Sequence, residues 1–132
     1  MDTLLYTAQL RLQFSTIFSQ RFSISIDHGW QKLIKQMLEE IMLQPDHNLI
    51  QITQIKQKFG ALRVYFDGVA SDIIKQIIKR TEEKASHTCE FCGCNTARLA
   101  WIGRWQMVCC ESCEVEKKPP ESSSDDEDDD LD

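Results

Sequence analysis

Cys89-Glu90-Phe91-Cys92 and, after 17 intervening residues, Cys110-Glu111-Ser112-Cys113 are the stretch that decides the C-terminal fold. A Cys-x-x-Cys turn aims two sulfurs at one point, and the interval suits a hairpin that returns the chain to present the second pair. Four thiolates satisfy the tetrahedral preference of Zn²⁺ and leave no open position for water. The predicted ligands are therefore Cys89, Cys92, Cys110 and Cys113, and the predicted cofactor is a structural Zn²⁺. Residues 97–102 and 104–108, split by Gly103, read as the hairpin of a zinc ribbon. Leu99, Trp101, Trp105 and Met107 supply its strand-type bulk.

All six cysteines fall within residues 89–113. Cys94 and Cys109 stand outside the paired spacing and read as neighbours of the metal or as free thiols, with a redox pair as the alternative. Metal-type spacing, and a start at Met1-Asp2-Thr3 without a basic, apolar leader, favour a reducing cytoplasm over a secreted disulfide scaffold. No stretch approaches the roughly 20 apolar residues of a membrane span.

Upstream of the ribbon the periodicities change several times. Residues 4–22 carry Leu10, Phe14, Ile17 and Phe18 at helical spacing, and a helix is expected there; residues 23–26 alternate as a short strand would. Trp30, Leu33, Ile34, Met37, Leu38, Ile41 and Met42 make the clearest amphipathic helix, closed by Pro45. Residues 49–66 read as two antiparallel strands around Phe59-Gly60, with a bulge near Thr53-Gln54 where the inward parity changes. Ser71 is placed as the N-cap of a last helix whose expected stripe is Ile73, Ile74, Ile77 and Ile78. The predicted class is α+β: helices on a short antiparallel sheet over residues 1–86, a zinc ribbon over 87–116, and a disordered acidic tail over 117–132.

The net charge of −6 hides an asymmetry. Residues 119–132 hold eight acids and no base, whereas residues 1–118 hold 13 acids against 15 bases. The tail reads as a solubilising end or as an electrostatic arm. Such an arm engages a basic surface, imitates a nucleic-acid backbone, or folds back on the chain's own bases. Those bases are Lys56, Lys58 and Arg63, beside Tyr65, with Arg98 and Arg104 extending the set if they share a face. A solvated face is the ordinary reading; a phosphate-binding or acid-binding patch is the sharper one. His28, His47 and His87 show no ligand spacing, and no nucleophile-with-base or phosphate-loop motif is present, so no enzyme is expected.

Three stretches together carry a resemblance: Gly29-Trp30, Gln54-Ile55-Lys56-Gln57-Lys58-Phe59-Gly60-Ala61-Leu62-Arg63-Val64-Tyr65, and Cys89-Glu90-Phe91-Cys92-Gly93 with its closing cysteine pair. In these, residues 29–113 resemble a family of small bacterial and phage proteins. Its members combine a Gly-Trp helix start, a Lys-Phe-Gly-x-Leu-Arg-x-Tyr hairpin and a terminal zinc ribbon. The resemblance implies a phage or prophage setting and a compact α+β domain with a metal at one end. The acidic tail, Cys94 and Cys109 depart from that pattern. The expected function is non-enzymatic binding of a host protein or protein–nucleic-acid complex, in the form of an anti-defence inhibitor using the acidic tail. The alternative is a zinc-ribbon module that binds nucleic acid.

Overall fold

The computed structural model describes residues 3–117, so the acidic run and the tail expected over 117–132 lie, apart from Lys117, outside the described residues. The elements are α1 (Thr3–Gln13), β1 (Phe18–Ser25), a single 3₁₀ turn (His28–Trp30), α2 (Gln31–Met42), β2 (Ile50–Lys58), β3 (Ala61–Gly68), α3 (Asp72–Ala85), β4 (Arg98–Ile102), β5 (Trp105–Cys109) and α4 (Glu111–Lys117). The class is α+β, as the periodicities predict.

The main sheet has the order β1-β2-β3. β2 and β3 form the expected antiparallel hairpin, and the register shift between Ile52 and Gln54 is the expected bulge. Phe59 and Gly60 turn it with φ of 54° and 80°. Two successive positive φ values make a turn whose twist matches that of the strands.

Residues 4–22 depart from the single helix expected there, whereas residues 23–25 are strand as expected. Only α1 is helical; the chain turns at Phe14–Ile17 and then runs as β1, which pairs parallel with β2. Phe18 and Phe22 explain the misreading. Their four-residue separation fits a helical face, but here they are buried on a strand and stack at 4.1 Å between ring centroids. Residues four apart share a side of a strand too, but a regular strand would separate them by about 13 Å, and the register of β1 is irregular between Phe18 and Ser23, where the two rings come together. Arg11 of α1 donates to the carbonyls of Ser19 and Gln20, both at 3.1 Å, so a helix side chain satisfies the strand where pairing lapses. A parallel pair needs a crossover, and α2 supplies it.

α2 and α3 pack on each other, and α3 also packs on β3. α2 buries Trp30, at its start, and Ile34, Met37, Leu38 and Ile41. α3 buries Ile74, Ile77 and Ile78, and continues the stripe through Thr81 and Ala85. Ile73 was expected in that stripe but is exposed. It sits one residue before Ile74, about 100° round a helix of 3.6 residues per turn. The Ser71 hydroxyl accepts from the Ile74 N–H at 3.3 Å and caps the helix as predicted. The apolar cluster runs without a break from Leu10 through this layer to Cys89, Val108, Cys109 and Cys113 of the ribbon.

Candidate metal centre and the face beside it

The sulfurs of Cys89, Cys92, Cys110 and Cys113 all lie within 4.8 Å of one another. With Zn–S bonds of about 2.3 Å, the edge of a tetrahedron of sulfurs is about 3.8 Å. The Cys92 and Cys110 sulfurs stand 3.7 Å apart. The first pair forms a knuckle whose Phe91 and Cys92 N–H groups both donate to Cys89 Sγ at 3.4 Å. The second pair bridges the end of β5 and α4. Four thiols closing on one point, with amide donors already aimed at a sulfur, suit a thiophilic metal ion.

The thiols divide electrostatically. Burial pushes the Cys89 thiol up, but N–H donors from Cys92, Cys110 and Phe91 outweigh it, so its pKa falls to about 6. At Cys92 an N–H from Cys94 lowers the pKa; burial and the thiols of Cys89, Cys94 and Cys110 override it and bring it to about 11. Burial, then the neighbouring thiols, also raise Cys113. A bound cation would favour the deprotonated form of every sulfur that ligates it. The two extra cysteines are not part of this group of four, although the Cys94 thiol neighbours those of Cys92 and Cys110. Cys94 accepts the Cys89 N–H through its carbonyl at 2.8 Å, and Cys109 is wholly buried.

Three contacts lock this centre onto the main lobe, and the sequence pattern showed none of them. Gly29 donates its N–H to the Glu90 carbonyl at 2.6 Å. A Cβ at Gly29 would stand 2.2 Å from the Cys89 carbonyl oxygen, so only glycine permits the approach. The neighbouring Trp30 is fully buried and donates Nε1–H to the Thr88 carbonyl at 2.8 Å. The Gly-Trp motif is therefore a socket for the first knuckle. Glu90 makes the third contact. It is 1% exposed, and its Oε2 accepts from the Val108 N–H at 2.7 Å and from Gln57 Nε2 at 3.0 Å. Burial raises its pKa, against the lowering effect of these two donors. Gln57 also donates to the Gln106 carbonyl at 2.8 Å, so β2 is tied to β5.

The six residues expected to bind a partner fall into three places. Lys56, Arg63 and Tyr65 share the outer face of the β2–β3 hairpin, where Lys56 and Arg63 are directly opposite. Like charges so placed oppose strand pairing. Lys56 Nζ lies 5.8 Å from the centre of the Tyr65 ring. Lys58 and Arg104 instead line one concavity of about 360 Å³ together with Gln57, Phe59, Trp101, Trp105 and Gln106. Arg98 belongs to neither group: it donates to the Cys109 carbonyl and pairs with Glu114, holding α4 against β4.

Sequence reasoning assigned Phe59, Trp101 and Trp105 to turn and strand bulk, yet they are 71%, 58% and 67% exposed. The available signal was size. Strands of five residues, with a metal knuckle at one end, offer too little surface to cover two indoles. Phe59 is also the one non-glycine residue with positive φ among those described. A bulky side chain held there costs about 1–3 kcal/mol, and such strain gathers at functional sites. Among the described residues, Lys56, Lys58, Arg63 and Arg104 form no ion pair. No helix among them is long and apolar enough to cross a membrane.

No family model, curated protein or solved structure matches this chain.

Proposed function

We propose that this chain is a non-enzymatic recognition module that binds single-stranded nucleic acid on the face shared by the hairpin tip and the ribbon. In this reading the four cysteines hold Zn²⁺, which supplies a closed cross-link when bound. One observation carries the proposal: Phe59, Trp101 and Trp105 are exposed around a single concavity whose charged lining residues, Lys58 and Arg104, are both basic. Unpaired bases stack on aromatic side chains, and phosphates are neutralised by adjacent cations. Lys56 lies two residues from Lys58 on the same strand face, with Arg63 opposite it, and extends the cationic track along the hairpin. Fluorescence anisotropy with a labelled single-stranded oligonucleotide tests this. Four phosphate contacts give a slope of log K against log salt of about −3. Binding that is unchanged in the Trp101→Ala, Trp105→Ala double variant would refute the assignment of the face.

A second reading is supported by the eight acids and absent bases of residues 119–132. In it, a phage or prophage protein engages a basic host protein through that tail. Recovery of the same host protein after the tail carboxylates are neutralised would remove this reading.

A further inference from the structure

We propose that the acidic run Asp125–Asp130 of the same chain docks on the Lys58–Arg104 concavity and occupies it as a phosphate mimic until a ligand displaces it. The proposal rests on the reading of that face as an anion-binding, aromatic one, and extends it to regulation.

Charge complementarity is the first support. The run Asp125-Asp126-Glu127-Asp128-Asp129-Asp130 is six consecutive acids. The face opposite offers Lys58 and Arg104 in the concavity, with Lys56 and Arg63 beside it, and these four bases form no ion pair among the described residues. Other bases of the chain are also without an ion pair among the described residues; what sets this face apart is that its four cations are grouped at and beside one aromatic-lined concavity.

Reach is the second. α4 ends at Lys117, whose ammonium lies 5.1 Å from the centre of the Phe91 ring in the first knuckle. One turn earlier Glu114 is held to Arg98 of β4. From Arg98 to Trp101 is three residues along the strand, about 10 Å. Seven residues separate Lys117 from Asp125, and an extended chain covers about 27 Å over that interval and more than 40 Å by Asp130. Tethering keeps the local concentration of carboxylates in the millimolar range, so weak individual contacts suffice.

The test compares the full native chain with a full-length variant carrying Asp125→Asn, Asp126→Asn, Glu127→Gln, Asp128→Asn, Asp129→Asn and Asp130→Asn. The direct readout is the indole N–H resonances of Trp101 and Trp105, with buried Trp30 as internal reference. At low salt the two exposed indoles should differ between the proteins, and the difference should fade with added salt. Affinity for a single-stranded oligonucleotide should rise about tenfold in the variant at low salt, and converge with the native value at high salt. Identical indole positions at low salt would overturn the proposal. A difference that grows with protein concentration would overturn it too, since the tail would then be occupying a second copy. Shifted indoles without oligonucleotide binding in either protein would uphold the docking and refute the nucleic-acid function alone.

Discussion

The two ends of this molecule solve the problem of a small core differently. The main lobe buries long aliphatic side chains on every element: Ile24 on β1, Ile34, Leu38 and Ile41 on α2, Ile52 and Ile55 on β2, and Ile74 and Ile77 on α3. The ribbon buries small groups instead, with Ala97, Ala100, Val108 and cysteines inside, while Leu99, Trp101 and Trp105 stay outside. A fully buried large aliphatic side chain contributes about 1.5–3 kcal/mol, and the ribbon has almost none. A metal held by the four converging cysteines would take the place of that contribution, as it does in other minimal domains. Because the small ribbon core does not take them up, its large aromatics stay at the surface.

Metal removal is the sharpest way to break this contrast. Binding of structural zinc is worth about 10–16 kcal/mol in small zinc peptides at neutral pH. A chelator should therefore collapse the Trp101 and Trp105 resonances while methyl signals from Ile34, Leu38 and Ile52 remain dispersed. Simultaneous loss of both sets would show that the main lobe has no stability of its own. Acid should have the same selective effect, because metal binding requires four deprotonated sulfurs and protons compete for them.

Gly29→Ala comes next and attacks the joint. A methyl cannot occupy a position 2.2 Å from a backbone oxygen, so the first knuckle must move away from α2. A loss of about 3–4 kcal/mol by denaturant titration is expected, with weakened metal retention as the sign that the socket has opened. Gln57→Leu preserves volume but removes the donors to Glu90 and Gln106. Leaving a buried carboxylate oxygen with fewer partners costs about 1–3 kcal/mol, and thermal unfolding should fall accordingly. The smallest effect on stability belongs to Trp101→Ala, within about 0.5 kcal/mol, since the side chain is mostly in water. Its affinity for single strands should nonetheless drop by about 1–3 kcal/mol. A large stability loss with unchanged binding would reverse the roles assigned to the two kinds of side chain.

Much of this was legible in the chain. Short-range signals with a local cause read correctly: the paired cysteines, the α2 stripe, the Ser71 cap, the Phe59-Gly60 turn and the bulge near Thr53-Gln54. Residues 14–22 did not, because a strand that buries residues four apart across an irregular register imitates a helix. The grouping of the bases was only partly legible, for a similar reason. Bases announce themselves by type, but their grouping depends on which strand face carries them, and Arg98 is spent on Glu114.

By itself, then, the amino-acid order picked out the four cysteines that converge, the identity of most elements and the charge opposition between body and tail. These follow from spacing along one chain and from the side-chain chemistry itself. Only the folded arrangement decided that Gly29 and Trp30 seat the first knuckle, that Gln57 and Glu90 join β2 to β5, and that Phe59 meets two indoles and two cations around one hollow. Those contacts join residues about 30 to 60 positions apart. Local periodicity carries no information about such pairings, which are set by how the sheet, the helices and the ribbon come together.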